Sequence, residues 1–341
     1  MIISPVAISP FASRSSEVAP VNTVAPSISG TPEVGQTLTA VNGTYTGSPA
    51  PVVTGIWQRN GVDITGETSL TYLQVYGDIG TSLTWHETAD NGILPNATSD
   101  SNAITTIITI EAFNANYAYL NAWSSENVTD VGTTITALDY KGVHNLANDS
   151  AAAEPILDST GIVFDGVNDR LTKNFTSYLS TKTSGSMTFV AKMTDTTTAK
   201  DNHLLFCADV SVAGKYFGAS FLNGKFRFYS VGVTTSSIEA TAALTLNNTY
   251  IISVFSNGTT TKIAINGVVV ATTVLSGTNA GQWFNNISAN PTDNIVLGGI
   301  IYQGGSAYGK QATKYIQTAD YISDADIINR QNDLNLIYGI Y

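Results

Sequence analysis

Cys207 is the only cysteine in a chain of 341 residues. An intrachain disulfide and a cysteine zinc cluster are both excluded, and the domains must hold together by packing alone. Charge is scarce as well. Asp, Glu, Lys and Arg make up 12% of the chain, about half of the ~25% usual in soluble domains. Basic residues are the rarer sign, 15 Lys and Arg against 26 Asp and Glu, for a formal net charge of -11. They form no run, so the cations that neutralise phosphate are missing and nucleic acid and anionic lipid are excluded as main partners. No stretch approaches ~18 consecutive apolar residues, so no membrane insertion is expected.

The residues of catalysis are thin too. His86, His144 and His203 are dispersed, which argues against a triad or a metal cluster. After Glu154 the only glutamate is Glu239. Glycoside hydrolysis needs two carboxylates about 5 to 9 Å apart, and neither an E-x-D-x-x-E pattern nor an Asp pair at alternate strand positions supplies them. The expectation is a protein that is not an enzyme and needs no cofactor.

Thr, Ser, Asn and Gly are abundant, the mark of β-rich modules whose strands carry Thr and whose turns carry Asn and Gly. Residues 1–22, with Pro5, Pro10 and Pro20, show no helical or strand period and read as an extended arm. No basic residue precedes the apolar part and prolines interrupt it, unlike a signal peptide. Ile2, Ile3, Phe11 and Arg14 are its expected anchors on a neighbouring chain. A surface-type β protein with no secretion signal suits a virus particle, which leaves its host by lysis.

Residues 23–107 alternate short apolar runs with turn signals. The stretches "VAPSISGTPEVGQTLTAVNGTYTG", "IWQRNGVDITG" and "TYLQVYGDIGTSLTWHETADNG" resemble bacterial and phage immunoglobulin-like domains. The resemblance implies that Trp57 is the core tryptophan and that Asp78 and Gly80 shape a corner. From 108 to 341 come an "AW" segment at Ala122 and Trp123, a loop from Asp139 to Asn145, and "FDGVND" from Phe164 to Asp169. "GSMTFVAKM", "YFGASFLNGKFRFYS" and "NTYIISVFSNGTTTKIAINGVVVATTV" follow. That order resembles the concanavalin A-like, laminin-G-type jelly rolls. Asn223-Gly224 and Asn266-Gly267 predict hairpins, since both residues tolerate positive φ. A single helix is expected over about 324–338, with Ser323 as N-cap and Asp324 and Asp326 in its first turn. The fold class is all-β: an immunoglobulin-like sandwich, then a jelly roll with a short C-terminal helix.

Few motifs carry chemistry. In "GIVFDGVNDRLT" the resemblance makes Phe164 to Asp169 the tight link between the first two jelly-roll strands. Asp165, Asn168 and Asp169 could also contribute to a calcium site, but hard cations want six to eight oxygens. "GGSAYGKQ" fits a phosphate loop up to Lys310, but Gln311 replaces the Mg²⁺-holding residue and no helix follows. "HETAD" has Asp90 where a zinc protease has its second histidine, and reads as a strand end. Cys207 reads as a buried strand residue. Lectins stack an exposed aromatic ring on a sugar and surround it with Asn and Asp. Residues 281–294 and 301–310 have that composition, which makes Trp283, Asn285, Asn286, Asp293, Tyr302 and Tyr308 the candidate glycan site. Trp283 could equally fill the core or a subunit contact.

These readings lead to a phage virion accessory protein, a capsid decoration or head fibre on the virion surface. Its expected partners are other virion proteins, the major capsid protein first, further copies of itself, and host-surface glycans bound weakly. A tail or baseplate receptor-binding protein and a secreted bacterial adhesin or carbohydrate-binding module are the alternatives.

Overall fold

The computed structural model describes residues 16–174, 181–195, 202–208, 215–287, 294–302 and 305–341. The expected anchors Ile2, Ile3, Phe11 and Arg14 lie outside the described residues, as does Asp293. The chain forms two compact units that divide between Thr109 and Ile110.

The first unit is a β-sandwich. Strand Ser82–Asp90 pairs with Val52–Arg59 on one side and with Ala97–Asp100 and Ile104–Thr105 on the other. Ser27–Ser29, Thr37–Val41 and Thr71–Leu73 make a second sheet. Alternate residues of Ser82–Asp90 are buried, the period of a half-buried strand. Leu83 and Trp85 among them meet Ile28, Leu38, Trp57 and Tyr72 in one core. Trp57 is fully buried, donates from Nε1 to the Ser69 carbonyl at 2.8 Å and meets Trp85 edge-on at 5.6 Å. At the "YGDIG" corner the buried Asp78 carboxylate accepts from Arg59 Nε, the Tyr72 hydroxyl and the Val75 amide. Gly80 there has φ +71°.

The expected arm is shorter than read. Val18–Val24 is a strand paired antiparallel with Thr44–Ser48, so residues 18–22 belong to the sandwich. Pro20 falls in a register shift between Val18 and Val21, where its missing N–H costs no ladder bond. A proline read as the sign of an arm therefore marks an irregular edge strand.

The second unit packs an eight-stranded sheet on a ten-stranded one. The first runs in the order Ile156–Asp158, Gly161–Asp165, Lys310–Ala319, Gly185–Met193, Thr249–Ser256, Thr261–Ile265, Val268–Val270, with Asn121–Ser124 also on Lys310–Ala319. The second runs Val128–Asp130, Ile135–Ala137, Leu146–Ala147, Leu171–Asn174, Asn294–Leu297, Asn202–Ala208, Tyr216–Leu222, Lys225–Val231, Thr235–Ala240, Thr272–Gly277. Between them lies one core that includes Trp123, Phe164, Phe189, Cys207, Phe217, Phe228 and Trp283. Both Asn-Gly pairs turn hairpins, with φ of 52° and 74° at Asn223 and Gly224 and 50° and 77° at Asn266 and Gly267. "FDGVND" is not a hairpin within one sheet. Gly161–Asp165 pairs in the eight-stranded sheet and Leu171–Asn174 in the ten-stranded one, so the segment crosses between layers.

A short helix, α1 (Ile110–Asn116), was not expected; seven residues carry too little periodicity to show in sequence. The C-terminal helix, α2 (Asp324–Tyr338), begins at Ser323, whose hydroxyl accepts from the Asp326 amide at 3.0 Å, and stops at Gly339 in the left-handed conformation. Its buried face is half polar: Ile327 and Leu334 beside Arg330 and Gln331. Arg330 donates to Gln317 Oε1, the Ala118 carbonyl and Asp326. Gln331 donates to Ser253 Oγ and the Ala264 carbonyl and accepts from the Gly267 amide. These bonds seat α2 on the outside of the eight-stranded sheet.

Candidate functional site

Two of the residues chosen from sequence as a glycan site, Trp283 and Asn286, are buried. Trp283 is 1% exposed, edge-on to Phe217 at 5.1 Å and stacked on Phe228 at 5.7 Å. A Cβ at Gly185 would stand 2.4 Å from its Nε1, so the glycine makes room for the indole. Neither ring face is available to a sugar, and Trp283 is a core residue. Asn286 is buried too, accepting from the Thr234 amide and donating to the Thr234 carbonyl and Ser230 Oγ. Its side chain pins a loop rather than a ligand. Asn285 is half-buried, with its amide on the Lys182 carbonyl. Tyr308 is half-buried, and its hydroxyl accepts from Arg170 Nη1 at 2.7 Å. The Arg170 guanidinium also lies 5.4 Å from the ring centroid, and Asp149 holds that guanidinium in turn. Of Tyr302 only the backbone is described, in strand Gly299–Tyr302.

The carboxylates of "FDGVND" serve the turn. Asp165 Oδ1 accepts from the Val167 and Asn168 amides, and Asp169 Oδ2 from the Asp165 amide. Burial raises the Asp169 carboxyl above its ordinary range. "HETAD" ends strand Ser82–Asp90 with His86 Nδ1 2.5 Å from Asp100 Oδ1. Lys310 opens a strand, not a helix. Cys207 is fully buried and its thiol is pushed up by burial, far from thiolate chemistry.

The polar groups that do converge lie on the outer face of the ten-stranded sheet. Phe217, Ala219 and Phe221, Phe226 and Phe228, and Ile238 and Ala240 point into the core. Strand alternation therefore puts Ser220, Arg227 and Glu239 on the opposite face. Register aligns them: His203 faces Ser220, Ser220 faces Arg227, and Arg227 faces Glu239. Glu239 Oε2 accepts from Arg227 Nη2 at 3.2 Å and Oε1 from Lys225 Nζ at 3.1 Å. The side chains of Lys225, Arg227 and Glu239 are 35%, 21% and 12% exposed, so they meet solvent while fixed on rigid strands. The Ser220 hydroxyl is buried without a partner among the described residues.

Beside this polar row runs an aromatic one. Tyr229 Oη is 2.7 Å from His203 Nδ1, and Tyr216 stacks on Phe206 at 5.7 Å. Ile300 and Ile301 of strand Gly299–Tyr302, which pairs with Gly305–Tyr308, pack on Phe206, Tyr229 and Val296, while Tyr216 stays half-buried. Burial pushes the His203 imidazole down to about 4, so it is neutral near pH 7. The signal for this face was present in "KFRFYS", whose first four residues alternate charged and aromatic. Glu239, in "SSIEATAA", carried none.

No protein-family model and no curated protein matches the chain. Among solved structures it is similar to the Ruminococcus gnavus IT-sialidase CBM40 bound to α2,3-sialyllactose, at 18% identity and a TM-score of 0.38, over 49% of this chain and 96% of that one. It is similar also to the leech intramolecular trans-sialidase, at 16% identity and 0.37, over 47% and 27% of the two chains. Trypanosoma rangeli sialidase in complex with sialic acid gives 10% identity and 0.47, over 91% and 53%. Each score lies below 0.5, and what those proteins bind remains a property of theirs.

Proposed function

We propose that the second unit is a lectin-like module that binds glycans on the outer face of its ten-stranded sheet, and that the first unit, an immunoglobulin-like sandwich, is a spacer. The observation that carries this is the register row Ser220, Arg227, Glu239 with Lys225 beside it, on the same face as the Phe206–Tyr216–Tyr229 aromatics further along the strands. Sugar hydroxyls need a carboxylate to accept and cations to donate, in fixed positions. Catalysis is not part of the reading, because the row carries one carboxylate where glycoside hydrolysis needs two. A shallow face of this kind binds weakly, and several copies on one surface supply avidity.

The setting that fits is a surface-displayed carbohydrate-binding module or adhesin. Residues 1–15, with Ile2, Ile3, Phe11 and Arg14 and the prolines Pro5 and Pro10, favour a second setting, a phage virion accessory protein held on its particle by that segment. The core position of Trp57 and the Arg59–Asp78–Tyr72 corner support the immunoglobulin-like assignment.

A glycan array probed with the intact chain, beside Arg227→Met and Glu239→Gln, tests the reading. Binding that both substitutions abolish, with the fold retained by circular dichroism, is the expected outcome. Binding indifferent to both places the site elsewhere, and no binding to any glycan removes the function.

A further inference from the structure

Six Asn-Gly pairs occur in the chain, at Asn42, Asn60, Asn91, Asn223, Asn257 and Asn266. Such a pair has a chemistry of its own, because a glycine puts no side chain in the way when its amide nitrogen attacks the preceding asparagine Cγ. Most of them are held against it. Asn60, Asn223 and Asn266 turn hairpins at φ of 49°, 52° and 50°, and paired strands on both sides fix their backbone. Asn91 donates from Nδ2 to the Val18 and Pro49 carbonyls, and Asn257 Oδ1 accepts from the Thr259 and Thr260 amides. Asn42 differs. Its side chain is exposed and makes no hydrogen bond among the described residues. Asn42 and Gly43 also stand outside the ladders, between Thr37–Val41 of the three-stranded sheet and Thr44–Ser48, which pairs with Val18–Val24. The Gly43 amide donates to a base. Glu87 is fully buried on Ser82–Asp90, with Oε2 and Oε1 at 3.1 and 3.3 Å from that nitrogen. Its other partners, the Tyr45 hydroxyl and Trp85 Nε1, donate to it as well. A carboxyl group surrounded by donors is the ionised acceptor, able to take a proton.

We propose that Asn42–Gly43 is a self-modification site in which Glu87 acts as the general base. Glu87 takes the N–H proton as the Gly43 nitrogen bonds to Asn42 Cγ. The Cγ–Nδ2 bond breaks, and the amide leaves as ammonia with the proton that Glu87 returns. Water then opens the succinimide at one carbonyl or the other, which leaves aspartate or isoaspartate at position 42. Isoaspartate adds an atom to the backbone beside Gly43, where a Cβ would already stand 2.5 Å from the Val24 carbonyl oxygen. The reaction therefore loosens the ribbon of Val18–Val24 on Thr44–Ser48 as the protein ages.

The test is peptide mapping by mass spectrometry of the folded chain aged at neutral pH, in which each conversion of amide to acid adds about 1 Da. Asn42 is expected to react before the other Asn-Gly pairs, and the chain unfolded in denaturant to show no such preference. Glu87→Gln keeps an acceptor for the Gly43 amide but takes no proton, so it should slow Asn42 by about 10-fold or more and leave the other pairs unchanged. A slowing of that kind cannot come from a loosened fold, which would speed several pairs together. Tyr45→Phe removes a donor from Glu87 and leaves the carboxylate in place, so Asn42 should react at least as fast as in wild type. Where Glu87→Gln does not fold, Tyr45→Phe and the order of the pairs in wild type decide. Another pair reacting first in the folded chain, an unchanged Asn42 rate in folded Glu87→Gln, or a lowered rate in Tyr45→Phe would each overturn the proposal.

Discussion

A Cβ added to Gly218 would stand 2.6 Å from the Tyr229 hydroxyl oxygen and 2.7 Å from its Cζ. The two residues face each other across neighbouring strands, and the missing side chain lets the phenol lie over the sheet toward His203. Gly218→Ala should displace the ring, break the Tyr229–His203 contact and cost about 1 to 3 kcal/mol through overpacking. Urea denaturation measures this. A change within a few tenths of a kcal/mol would mean that the ring moves aside freely.

In the first unit the weight falls on Trp57. It is fully buried and hydrogen-bonded, so Trp57→Ala should cost roughly 3 to 5 kcal/mol through the cavity left behind. Loss of cooperative unfolding in this unit alone would be the more severe form of the same result. A cost below ~1 kcal/mol would show that the core collapses around the gap.

What could be read in the sequence is what short-range chemistry decides. The two Asn-Gly hairpins, the Ser323 cap, the strand character of "HETAD" and the buried Cys207 each depend on a few neighbouring residues. The site depends on pairing across distant strands, and nothing local aligns His203, Ser220, Arg227 and Glu239. Trp283 shows the converse. Its loop has a lectin's composition, but a pocket left by Gly185, nearly a hundred residues away in sequence, takes the indole into the core. The "FDGVND" turn was legible as a turn, whereas its passage between sheets is set by partners far along the chain.

Arg330 should prove the most sensitive residue of α2. Its side chain is fully buried against the sheet and over the Tyr117 ring at 4.7 Å. Arg330→Ala removes the partner of Asp326, Gln317 and the Ala118 carbonyl together, and should cost about 3 to 5 kcal/mol. Asp326→Asn keeps an acceptor for Nε and leaves the bonds to Gln317 and Ala118 in place, but it strips the buried guanidinium of its carboxylate, so it should also destabilise, by less than Arg330→Ala. Equal losses from the two variants would locate the stabilisation in the ion pair rather than in the burial.

His203 gives the fold an acid limit of its own. The residue is 5% exposed, and desolvation lowers its imidazole from the ordinary 6.5 to about 4. In the unfolded chain it binds a proton once the pH falls through 6.5, while in the folded chain it stays neutral until about 4. The unfolded state therefore holds more protons across that window, and stability rises with pH there. His203 contributes fully above about 6.5 and progressively less down to 4, a swing of about 3 kcal/mol. His144, also lowered by burial, acts in the same sense. Carboxylates held low, such as Asp158 and Asp324, lose their contribution at still lower pH. The measurement is therefore the difference in unfolding free energy between wild type and His203→Gln, which cancels the other groups. That difference should be constant above pH 7 and should shift in favour of the glutamine variant as the pH falls toward 4. A difference that does not change with pH would mean that the imidazole is solvated in the folded protein.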